Sequence, residues 1–133
     1  MIRIASVLAV LTGPISAQSL CEDLDQHTGD ILRLSQGDAS CTNSLALGGG
    51  RSIHCALEFP YRSDAAARVF EELVDEITEC VGSTAVSITD LSVNHPDAYD
   101  LRTFEDGARS YSVSIKDKGE LQQTLVFVRV SRP

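Results

Sequence analysis

Ile53-His54-Cys55-Ala56-Leu57-Glu58-Phe59-Pro60-Tyr61-Arg62-Ser63-Asp64, running on into the periodic stretch that ends at Cys80-Val81-Gly82, decides how this chain folds. Ile53, Cys55, Leu57 and Phe59 alternate with His54 and Glu58, the period-2 pattern of a half-buried strand. Pro60-Tyr61-Arg62 reads as a turn. Ser63 is placed to cap a helix, and Asp64 in its first turn complements the positive end of the helix dipole. Ala66, Val69, Phe70, Leu73, Ile77, Cys80 and Val81 recur at steps of three and four, which predicts a helix over 63–81. Its wet face carries Arg68, Glu71, Glu72, Asp75 and Glu79. Gly82 stands where a left-handed C-terminal cap belongs.

Upstream, Ser19-Leu20-Cys21-Glu22 fits a capping box, so a second, weaker helix is expected there. Leu20, Leu24, Ile31 and Leu34 give it a thin apolar stripe. Gly29 is its weak point, costing about 1 kcal/mol relative to Ala, and Gly37 is expected to end it. Residues 35–52 have the composition of a linker, anchored only by Leu45-Ala46-Leu47. Gly48-Gly49-Gly50 is followed by Arg51 and a strand. A phosphate loop needs Lys, then Ser or Thr, then a helix, so the glycines read as a connector.

Downstream, residues 85–93 read as a strand whose alternation slips at Asp90-Leu91, as at a bulge. Residues 94–109 read as a long acidic connection pinned by Tyr99, Leu101 and Phe104. The chain then turns back on itself. Tyr111, Val113 and Ile115 alternate with serines, Asp117 to Glu120 turns, and Thr124 to Val130 returns. A strand–helix–strand unit implies a parallel crossover. The expected fold is therefore α+β: a small mixed, mostly antiparallel four-stranded sheet, with one long helix packed across one face and a weaker N-terminal helix.

Residues 1–17 read as a secretory signal peptide. Arg3 supplies the positive end, Ile4 to Leu11 the apolar stretch, and Ile15-Ser16-Ala17 the cleavage site. Leu20 before Cys21 argues against lipidation, and no later segment approaches the length of a membrane span. Residues 18–133 are expected to form a single disulfide-stabilised domain, periplasmic or extracellular, with no membrane insertion once the signal is removed. The full chain carries a net charge of −8, and losing Arg3 makes the remainder more acidic still. Nucleic acid is excluded as a partner on that ground, since its affinity rests on phosphate neutralisation.

The four cysteines, Cys21, Cys41, Cys55 and Cys80, form an even set in an exported chain and predict two disulfides. Cys55 faces the core from its strand and Cys80 lies on the apolar side of the helix expected above it. The pairing drawn from this is Cys55–Cys80 with Cys21–Cys41. The sharper alternative is a reactive Cys21 thiolate at a helix start.

His27, His54 and His95 are the only imidazoles. His95 and Asp97 are the fallback metal candidates, with His54 or a further carboxylate completing a set. Asn94-His95-Pro96-Asp97 reads more simply as a turn. Asp97, Asp100, Glu105 and Asp106 lack the spacing of a calcium loop. No Gly-x-Ser-x-Gly elbow marks a nucleophile. No catalytic residue, metal or cofactor is assigned.

The final strand is apolar on both sides, with Leu125 and Phe127 on one and Val126, Val128 and Val130 on the other. The three valines are the expected partner-binding stripe, offered to a protein partner or to a homodimer mate. The other strands are polar on the side away from the helix: His54 and Glu58, Ser87 and Thr89, and Ser110, Ser112, Ser114 and Lys116. The function expected is an exported, non-enzymatic binding module. The competing readings are a small metal-dependent or hydrolytic enzyme built on the 94–109 loop, and a structural envelope component.

Overall fold

The structure is a computed structural model and describes residues 19–45, 48–82, 86–88 and 99–133. The class is α+β. The described elements are α1 (Leu20–Gln26), β1 (Ile31–Leu34), β2 (Gly37–Leu45), β3 (Arg51–Pro60), α2 (Asp64–Val81), β4 (Val86–Ile88), β5 (Tyr99–Asp106), β6 (Arg109–Lys118) and β7 (Gln123–Arg132).

The helix at the heart of the sequence forms as its periodicity dictates. Ser63 caps α2 by accepting a hydrogen bond from the Ala66 amide at 3.2 Å. Gly82 ends the helix at φ 73°, a left-handed geometry that glycine adopts without a Cβ penalty. Ala66, Val69, Phe70, Leu73, Val74 and Ile77 are buried along one side. They lie against Ile53, Cys55, Leu57, Phe104, Tyr111 and Val113, and against the valines of β7.

The sheet has seven strands, not four, in the order β1-β2-β3-β7-β6-β5-β4. Every pairing is antiparallel. Two three-stranded meanders, β1-β2-β3 and β4-β5-β6, are joined by β7, which occupies the central position. The expected parallel crossover survives only as a direction. Successive antiparallel pairings leave β4 running the same way as β3, but β7, β6 and β5 lie between them. The helix thus carries the chain from the middle of the sheet to its far edge, and no two adjacent strands are parallel.

The three added strands come from stretches expected to be helix, linker and connection. The N-terminal helix stops at Gln26, and Ile31–Leu34 is a strand in which Leu32 is buried while Ile31 is exposed. The linker composition of 35–52 conceals β2, whose alternation rests on Ala39 and Cys41 alone. The acidic connection contains β5, joined to β6 by a turn at Gly107-Ala108 with Gly107 at φ 60°. Within the expected 85–93 strand only Val86–Ile88 is described; Thr89 and the slip at Asp90-Leu91 lie outside the described residues.

Both disulfides form, with a different pairing from the expected one. Cys21 joins Cys80 across 59 residues of sequence, with a Cα–Cα distance of 6.1 Å. Cys41 joins Cys55 at 4.0 Å between Cα atoms. Cys41 and Cys55 sit directly opposite one another in the β2–β3 register, a relation invisible while β2 reads as linker. Cys80 lies in the last turn of α2, beside α1, so it meets Cys21. The reactive thiolate is overturned with the pairing, since Cys21 is bridged.

Charged groups fasten α1 further. The Asp25 carboxylate accepts from Arg109 and from Arg132, each at 3.1 Å, tying α1 to the start of β6 and the end of β7. At the other end of the core, the Thr124 hydroxyl donates to Asp117 at 2.7 Å and accepts from the Arg62 amide at 2.8 Å. The Arg62 guanidinium reaches the same carboxylate at 3.3 Å. This polar knot fixes the turn into α2 upon the β6–β7 hairpin.

Candidate functional site

Alternation on seven strands gives the sheet two faces of different character. One is the floor of the core. Val126, Val128 and Val130 belong to it at 1%, 1% and 3% exposure, packed beneath α2. The expected valine stripe is therefore corrected: the valines are core and present no surface to a partner. Their strand has the opposite parity from the one that placement required.

The other face of β3, β7, β6 and β5 is uncovered by either described helix, and the expected polar positions of β3 and β6 lie on it; Ser87 does not, since it stands in register with Arg102 on the helix side of β5. Cross-strand register arranges it in rows. Thr42, His54, Arg129, Ser112 and Thr103 lie opposite one another across five strands. The adjoining row on one side holds Ser44, Ser52, Ser131, Ser110 and Glu105, and the row on the other holds Ser40, Ala56, Phe127, Ser114 and Leu101. Small hydroxyl residues thus surround one cation and one aromatic ring on the central strand.

His54 stacks on Phe127, with ring centroids 4.8 Å apart and planes 18° apart. Burial, and secondarily the charge of Arg129, lower the His54 imidazole from its ordinary value of 6.5. The ring is therefore neutral at neutral pH, with one nitrogen donating and the other accepting. Around it the surface is concave, a hollow of about 460 Å³ lined by His54, Leu101, Ser112, Ser114, Phe127 and Arg129 among others. At the rim, Ser110 donates to Glu105 at 3.1 Å and the Ser44 and Ser52 hydroxyls lie 2.8 Å apart.

Of the residues singled out in the sequence, His54 is brought into this hollow with Ser110, Ser112 and Ser114. Glu58 and Lys116 lie one row beyond Phe127, on either side of Leu125. His95 and Asp97 lie outside the described residues. The described acids of the 94–109 stretch do not converge. Asp100 pairs with Arg102 at 3.1 Å on the helix side of β5, and Arg102 also reaches Glu71 of α2 at 3.6 Å. Glu105 points to the open side. Among the described residues, no three His, Cys, Asp or Glu side chains are placed to hold a metal ion.

Arg129 and Phe127 are the residues that the sequence reading did not assign to a site. Their signal is parity: Arg129 and Ser131 fall on the same side of β7 as Leu125 and Phe127, which marks that side as the open one. Comparison with known proteins adds nothing to this geometry, because no family model, no curated protein and no solved structure matches the chain.

Proposed function

We propose that the chain is an exported, disulfide-stabilised binding module that seats its ligand or partner on the open face of the sheet, and that it is not an enzyme. One observation carries this reading. The centre of the open sheet face holds an exposed cation, a stacked His–Phe pair and a hollow, and no described helix covers it. Binding sites are concave, with few polar groups placed among apolar ones. A catalyst needs its acid, base and nucleophile within hydrogen-bond reach of one another. Among the described residues of this face, His54 has no such bond to a serine or carboxylate.

Export is supported by the tripartite N-terminus together with two disulfides, which persist in oxidising compartments. No described helix is long and apolar enough to cross a membrane. The exported protein is expected to begin at Gln18, which intact-mass analysis reads directly; retention of Met1 would overturn the export reading.

The face is tested by tagging the protein in its native compartment and identifying what co-purifies. Phe127→Glu is expected to lose the bound species, while Glu72→Lys on the wet side of α2 retains it. Retention by a folded Phe127→Glu protein refutes the placement.

A further inference from the structure

We propose that the centre of the open face binds a small amphipathic carboxylate, whose anion pairs with the Arg129 guanidinium while its apolar body lies along Phe127 and Leu101. This rests on the reading of the open face as the binding surface and names the chemistry of its occupant.

The argument starts from charge. The chain has 19 acidic residues against 11 basic ones. Arg62, Arg68, Arg102, Arg109 and Arg132 each hold a carboxylate within 4 Å. Arg129 holds none among the described residues, although it stands in the middle of the central strand. Its cross-strand neighbours are His54 and Ser112, and the next row toward Phe127 contains no acid. Glu105, the nearest acid by row, is engaged by Ser110. The middle of the face is thus a positive spot on an acidic molecule, complementary to an anion.

A guanidinium in that setting favours a carboxylate, whose two oxygens match its planar fork. His54 and Ser112 stand on either side of it with further donors. Because the imidazole is neutral, Arg129 remains the one charge there. The next row supplies the apolar contact, with Phe127 between Ala56 and Ser114, and Leu101 one strand further on beside Ser114. A hollow of about 460 Å³ falls within the size range of small-ligand sites, about 300–1,000 Å³. It suits one aromatic ring or a short alkyl chain better than a macromolecule.

The test uses the mature, oxidised protein labelled with ¹⁵N and titrated with phenylacetate, with phenylacetamide and with inorganic phosphate. Phenylacetate is expected to give saturable shifts at Ser112, Ser114, Phe127 and Arg129. Phenylacetamide and phosphate are each expected to bind at least about tenfold more weakly, since one loses the charge-assisted pair and the other the apolar contact. Arg129→Gln should reduce phenylacetate to the level of the amide. Equal binding of phenylacetate and phenylacetamide, phosphate matching phenylacetate, or no saturable shift on this face overturns the proposal. The amide arm needs no variant, so the result stands even if Arg129→Gln fails to fold. Loss of a co-purifying protein in Phe127→Glu, with no phenylacetate shift, would leave the open face as a binding surface and overturn only the carboxylate.

Discussion

His54 owes its charge state to two neighbours, the Phe127 ring that shields it and the Arg129 guanidinium opposite it. Its imidazole is held below 6.5, so the unfolded chain takes up the proton first as pH falls. The stability associated with this group is therefore full above pH 6.5 and is lost as pH falls through the lower, folded value. The His54 ring resonances should titrate with a midpoint below 6.5, and Arg129→Gln should move that midpoint up. A midpoint at or above 6.5 would show that neither neighbour acts as described. Thr124 offers a second test. At 1% exposure its hydroxyl serves the Arg62 amide and Asp117 together. Thr124→Val should cost about 1–3 kcal/mol by leaving buried partners unsatisfied, and Thr124→Ser, which keeps the hydroxyl, should cost less. Equal losses in urea titrations would mean that the methyl group, not the hydroxyl, carries the effect.

Elements differ in how openly their sequences declare them. α2 carries every signal at once, from the Ser63 cap through its apolar stripe to Gly82, and it forms at Asp64–Val81. β6 was equally legible, because alternation and a turn agree; β7 was legible as a strand, but apolar residues on both its sides hid which one is buried. β2 was not: in GDASCTNSL only Ala39 and Cys41 are buried, and serines on an open face resemble a linker. β5 was hidden by its acids, although Asp106-Gly107 is a strong hairpin dipeptide. The site was half legible for a related reason. His54 and the serines of β6 announce a polar face, whereas Arg129 and Phe127 lie in a strand with apolar residues on both sides. The missed strand also misdirected the cystines. Peptide mapping without reduction should recover Cys21–Cys80 and Cys41–Cys55; any other linkage contradicts the β2–β3 register. Replacing the Cys21–Cys80 pair by alanines should cost about 4 kcal/mol and the Cys41–Cys55 pair about 3 kcal/mol, because the first closes the longer loop.

At the scale of the whole molecule, the class was readable and the topology was not. Alternation says which side of a strand is buried, but it does not say which strand lies beside which. The crossover rule expects the strand after a helix to return beside the one before it, and here the chain instead leaves β4 at the opposite edge. β7 pairs with both β3 and β6, so the sheet is continuous only through it. Deleting residues 123–133 is expected to abolish cooperative unfolding and expand the chain on size exclusion. A compact, cooperatively melting truncation would show that a meander with α2 folds alone.

The central place of β7 also sets an order of events. A ribosome makes this keystone strand after the other six described strands, so the two halves wait side by side, each with a bare edge, until residues 123–132 slide between them. Contacts of such long sequence separation form slowly, and unpaired strand edges invite association with other chains in the interval. The nascent chain is thus most exposed to misassembly just before residues 123–132 take their place. The Cys21–Cys80 bridge needs neither β7 nor β6, and it can hold α1 on α2 while the gap is still open.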